Sequence, residues 1–290
     1  MKKSALFIFL MLIVPELLFS GGKSESSPES KPVAAVSILP QKYFLERIAG
    51  DTIKVLVMVL PGESPATYEP TPDQIRALTK ARVFFTIGVP FERSFVPKIK
   101  STLKDIPIID TSTGITRMDM EGAPSRDETV KDPHIWMSPP LVKTQAATML
   151  KTLVKLFPEW KERFEQNYST FINDLDEADK YLQESLAPLN GTTLFVYHPS
   201  FGYFARRYGL KQKAIETGGK APGPKSLNKL VAEVKKEGVK VIFVQPEFQQ
   251  HSVEIIAEAA GTAVIPIDPL AEDYLDNLKA IAETLKSSLK

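Results

Sequence analysis

From residue 33 onward, short apolar runs alternate with stretches in which apolar residues recur every three or four positions. The first pattern suits a strand covered on both faces and the second an amphipathic helix; their alternation marks βα units that build a mainly parallel sheet. In a first series, strands are predicted over 33–39, 53–60, 83–87 and 106–109, with helices over 43–48, 72–79 and 91–103. A second series has strands over 193–197, 212–215, 239–244 and 263–267, with helices over 202–207, 226–237, 252–259 and 274–285. Between the two series, 141–156 and 160–189 lack strand signals and read as helices. At 1.5 Å per residue the second of these would run about 45 Å, the height of the molecule. The fold class is therefore α/β: two α/β lobes with mainly parallel sheets joined by one long helix. The boundaries fall at 33–157 for the N-terminal lobe, 158–189 for the bridging helix and 190–290 for the C-terminal lobe.

The first residues follow a different pattern. Lys2 and Lys3 precede an apolar run over 5–14, the layout of a secretory signal and too short for a membrane span, and Pro15 and Glu16 interrupt it. A signal peptide is predicted over 1–22 and a flexible linker, rich in Ser, Pro and charge, over 23–32. The segment is similar to a bacterial lipoprotein leader, with Gly22 where the lipid-carrying cysteine would stand. Export to the periplasm or cell surface is expected, with tethering left open. Thirty-six basic and 35 acidic residues give a net charge of +1, too weak a field to hold a polyanion, which excludes nucleic acid as a partner. Without cysteine the chain has neither disulfides nor thiolate ligands, so a metal site must use nitrogen and oxygen donors.

Those donors are few. Of three histidines, His134 lies in Asp132-Pro133-His134-Ile135-Trp136 and His198 ends the apolar run that begins at Thr193, while Asp268 ends the run that begins at Ala263. Ligands of open α/β sheets bind beyond the carboxyl ends of strands, where His198 and Asp268 fall. Pro133 turns Asp132 away from helix and Ser138-Pro139-Pro140 opens the next one, so a cleft between lobes is the natural meeting point of all three. Imidazole suits zinc and neighbouring divalent ions while carboxylate and water suit manganese, so two imidazoles and a carboxylate leave the ion open, zinc being favoured and manganese next. Each residue also has a structural reading: a strand-end His caps a turn, and an Asp before Pro begins one. His251, near a helix start, reads as solvated or capping. Glu69-Pro70-Thr71-Pro72 reads as a helix entry with Thr71 as N-cap, and Phe201, Tyr203 and Phe204 read as packing that would hold His198 still. The charged stretch over 159–184 reads as a solvated outer face.

Four segments together resemble the solute-binding proteins that deliver zinc or manganese to ABC importers, the ZnuA/TroA-like family. They are Pro61-Gly62-Glu63-Ser64-Pro65-Ala66-Thr67-Tyr68-Glu69-Pro70-Thr71-Pro72, Asp132 to Pro139, His198-Pro199-Ser200-Phe201-Gly202-Tyr203-Phe204-Ala205, and Ile267-Asp268-Pro269-Leu270. The resemblance covers nearly everything after residue 33. It implies two α/β lobes on one long helix, the metal between them, and His134, His198 and Asp268 as metal ligands. It also implies that the protein is a monomer and no enzyme, with zinc or manganese as its transported ligand and a membrane permease and its ATPase as partners. The chain departs from the pattern at Ala66, where the family usually has a histidine. The fourth donor is then open among water, Glu63, Glu69, Glu216, Glu247 and His251. An exported zinc-dependent hydrolase, and a receptor of the same fold for a chelated ligand or an adhesin, are the alternative functions.

Overall fold

The computed structural model describes residues 31–102, 104–121, 131–216, 224–248 and 250–289. The predicted signal peptide and all but the end of the predicted linker lie outside the described residues. Strands β1 (Val33–Val36), β2 (Lys54–Val57), β3 (Ala81–Thr86) and β4 (Ile108–Asp110) form one parallel sheet in the order β2-β1-β3-β4. Strands β5 (Thr193–Val196), β6 (Lys211–Ala214), β7 (Val241–Val244) and β8 (Ala263–Pro266) form a second in the order β6-β5-β7-β8. Each sheet starts at an inner strand, steps to one edge, then crosses to the other side. That reversal opens a crevice beyond the carboxyl ends of β1 and β3, and another beyond β5 and β7.

Helices α1 (Leu39–Ala49), α2 (Pro72–Leu78) and α3 (Pro90–Thr102) belong to the first lobe. They are followed by α4 (Pro139–Leu156) and the long α5 (Lys161–Leu186). Helices α6 (Gly202–Arg207), α7 (Pro224–Lys236), α8 (Gln250–Ala260) and α9 (Tyr274–Ser288) complete the chain. Every predicted strand has a counterpart, but the first two were read three or more residues too long, and the run over 239–244 pairs only from Val241. The first run stops at Val36 because Leu39 already opens α1, with Pro40 in its first turn, where a fixed φ and a missing N–H cost nothing. The second stops at Val57, and Leu60 is exposed.

Helix α5, 26 residues or about 39 Å, buries Phe164, Phe171, Leu175, Leu182 and Leu186 along one stripe and turns most of its charges outward, the buried Asp179 being an exception to the solvated face read from the sequence. Phe171 packs edge-on against Tyr43 and lies beside Phe44 of α1, with the Arg47 guanidinium 5.1 Å over its ring. Further along, Asp179 accepts from Arg207 Nε at 3.0 Å and from the Tyr208 hydroxyl at 3.0 Å, so the same helix grips the C-terminal end of α6. One core runs from β1 and β3 through α4, α5 and α9 into β5 and β7. A smaller cluster, with Phe195, Ile242, Val244, Val234 and Val253, fills the other face of the second sheet.

Candidate metal centre

His198 stands two residues beyond β5, and the pairing of β5 with β6 decides its neighbour. The register sets Val196 against Ala214, so the continuation of both chains sets His198 beside Glu216. The His198 Nδ1 lies 2.6 Å from Glu216 Oε1, with Glu216 buried. Gln245, just past β7, accepts from the His198 N–H at 3.1 Å and donates to the His198 carbonyl at 2.8 Å. The Phe248 ring, 5.1 Å away, covers the imidazole. Burial lowers the His198 pKa below the usual histidine range, against the hydrogen bond to Glu216, and the neighbouring His134 ring adds to the lowering.

His134 arrives from the turn before α4. Asp132, buried, accepts from the His134 backbone N–H at 2.9 Å and faces its Nδ1 at 2.7 Å. Gly202 makes room for that carboxylate: a Cβ there would sit 2.9 Å from Asp132 Oδ2. The Tyr203 hydroxyl donates to the Asp132 carbonyl at 3.0 Å and accepts from Met118 N–H at 2.9 Å, and burial pushes its own pKa up to about 12. Phe201, Tyr203 and Phe204 are all buried, the packing role read from the sequence. Trp136 donates through Nε1 to the Pro269 carbonyl at 2.7 Å, and the Tyr274 hydroxyl donates to the Trp136 carbonyl at 2.7 Å, which ties the His134 turn to the Asp268 turn.

The two imidazoles meet with their Nε2 atoms 3.3 Å apart. An ionised carboxylate accepts only, so each Nδ1 facing one carries the proton and each Nε2 keeps its lone pair. Lone pairs pointed at each other repel unless a positive charge lies between them. Two imidazole ligands at about 2.0–2.1 Å from a tetrahedral ion stand about 3.3–3.4 Å apart. The pair thus has the spacing of two metal ligands, with the carboxylate backing typical of metal-bound histidine.

Asp268 stands differently. Its Oδ1 accepts from the Leu270 N–H at 2.7 Å, the turn role available to an Asp before Pro, and it lines a neighbouring cavity of about 240 Å3 with Glu63 and Glu247. Burial raises its pKa; Glu247 is likewise pushed up by burial to about 7, with the Asp268 charge adding to the rise. Glu247 and Leu270 line both this cavity and the larger one that holds the histidines, about 460 Å3. Among the described residues no group of three His, Asp or Glu side chains is already gathered around one point. Of the other donors considered, Glu216 is committed to His198, Glu69 lines a separate groove with Tyr68 and Phe95, and the side chain of His251 lies outside the described residues. Ala66 lies on the cavity wall with Ser64, Pro65 and Thr67. The crevice of the first sheet is closed by Glu92, which accepts from Ser37 Oγ, from Ile87 N–H at 3.0 Å and from Gly88 N–H at 2.7 Å. The histidines therefore face the space between lobes from the second crevice and from the turn before α4.

Sequence reasoning missed the orienting roles of Asp132 and Glu216. Asp132 was visible inside the motif of His134, two residues away. Glu216 becomes visible only once β5 and β6 are paired in register.

Two parallel sheets of matching order, joined by a long helix and facing a histidine-lined cleft, define a two-lobed solute-binding protein. The chain belongs to the ZnuA family, described as zinc-uptake complex component A, periplasmic, whose family model matches residues 35–288. A crystal structure of ZnuA is similar with a TM-score of 0.83 and 38% identity, covering 90% of this chain and 100% of that one. The high-affinity zinc uptake system protein ZnuA of Bacillus subtilis (strain 168) is 25% identical, over 99% of this chain and 98% of its own length. The manganese-binding lipoprotein MntA of Halalkalibacterium halodurans is 24% identical, over 99% of each.

Proposed function

We propose that this protein is an exported, monomeric receptor that captures a divalent transition metal, zinc first and manganese next, and hands it to the permease and ATPase of an ABC importer. It catalyses no reaction itself. The observation that carries the reading is the pair of Nε2 atoms 3.3 Å apart, each ring held from behind by a carboxylate. His134 and His198 are the nitrogen ligands in this reading and Asp268 the carboxylate ligand. Two half-buried carboxylates that line one cavity, Asp268 and Glu247, favour a divalent cation nearby because it offsets the charge that their desolvation disfavours. Family membership and the named zinc and manganese relatives support the same assignment.

Equilibrium dialysis of chelator-stripped protein followed by elemental analysis tests it. One zinc per chain is expected at micromolar concentration, with at least a hundredfold loss of affinity in His134→Ala and in His198→Ala and a smaller loss in Asp268→Asn. Absence of zinc and manganese binding at micromolar levels would sink the reading.

A further inference from the structure

The larger cavity is far roomier than one ion needs. A metal held at about 2 Å by protein donors fills almost none of it, whereas about 460 Å3 lies within the roughly 300–1,000 Å3 range of pockets that enclose small organic ligands. Much of its wall is apolar, from Pro65, Val89, Pro90, Trp136, Phe248 and Leu270. With His134, His198 and Asp268 as ligands, a four-coordinate ion still lacks one donor; Asp268 lines the adjoining cavity, which meets this one at Glu247 and Leu270, and the first-lobe wall over 64–67 offers neither imidazole nor carboxylate. That wall does carry a cation, Arg93, which is exposed and lines the same space. Lys131, the other cation lining it, is paired with Asp119.

We infer that the cargo is a metal chelate rather than a bare ion. The zinc arrives with a small amino-carboxylate co-ligand, whose nitrogen or oxygen completes the coordination sphere on the Ala66 side. Its free carboxylate meets the guanidinium of Arg93, a planar donor fork suited to that group. The apolar wall covers the rest of the co-ligand. This inference rests on the receptor reading and names the chemical class of its substrate.

The test uses the full chain, stripped of metal and mixed with zinc and isotopically labelled L-histidine as the probe. After rapid desalting, zinc is counted by elemental analysis and histidine by native mass spectrometry. The expected result is one zinc and one histidine per chain, with no histidine kept when zinc is left out. Arg93→Gln lowers histidine retention at least tenfold. Ala66→His, which adds an imidazole from an exposed loop, keeps the zinc and expels the histidine. Wild-type protein that retains zinc alone, or an Ala66→His variant that holds histidine as well as wild type does, overturns the inference and leaves the receptor reading standing. Protein that retains neither zinc nor histidine overturns both.

Discussion

Replacing Glu216 by Gln takes away the charged acceptor behind His198. An amide can accept or donate, so the ring is free to settle in the other tautomer, with a proton on the Nε2 that faces His134. Zinc affinity is expected to fall about 10- to 100-fold in Glu216→Gln and in Asp132→Asn, the scale of lost outer-shell partners; competition against a chromophoric chelator measures it. Glu92 offers a separate test at this scale. Burial pushes its pKa up to about 7, against the hydrogen bonds from Ser37, Ile87 and Gly88, and the Asp110 charge adds to the rise. A carboxyl whose pKa is higher folded than unfolded binds more protons in the folded state. Its contribution to stability is therefore complete below pH 4.5 and is lost as the pH climbs to about 7. Between pH 4.5 and 8, the stability of Glu92→Gln relative to wild type is expected to improve by up to about 3 kcal/mol, read from urea melts across that range. Both histidines were legible from their surroundings: one ended an apolar run, the other sat among prolines and a tryptophan. Their carboxylate partners were not, because an acid 18 residues from His198 acquires meaning only through strand pairing.

At the scale of elements, local chemistry was the more readable layer. Thr71 caps α2 by accepting from the Gln74 N–H at 3.3 Å, while the Gln74 side chain accepts from the Thr71 N–H at 3.0 Å, so the helix entry written in Glu69-Pro70-Thr71-Pro72 is a complete capping box. Strand ends were less readable: apolar residues run on past the last ladder hydrogen bond, and nothing in the run itself marks where pairing stops. The bridging helix was expected over 158–189, and its α-helical part spans Lys161–Leu186 between tighter 3-10 turns at Pro158–Trp160 and Ala187–Leu189. Its hold on the first lobe is concentrated at Phe171, fully buried between Tyr43 and Phe44. Phe171→Ala is expected to cost about 3–5 kcal/mol, measured by denaturant unfolding, whereas truncating an exposed charge of the same helix, such as Lys180, is expected to stay within about 0.5 kcal/mol.

At the scale of the molecule, a ligand that binds only the folded state raises the melting temperature by mass action. Free zinc at a hundred times its dissociation constant adds about 2.7 kcal/mol. For a chain of this size that is a rise of about 5–10 °C in a fluorimetric melt, and loss of that rise in His134→Ala would tie it to the cleft. Two lobes were visible from the repeated alternation of strand and helix, but periodicity carries no information on how far their interiors merge. The core that passes from the first sheet through α4, α5 and α9 into the second supplies that answer. Neither half owns its interior outright, so heat has no seam along which to separate them. The chain that reads as two modules should lose its order cooperatively, and a fragment cut at the bridge would expose a face meant for its missing companion.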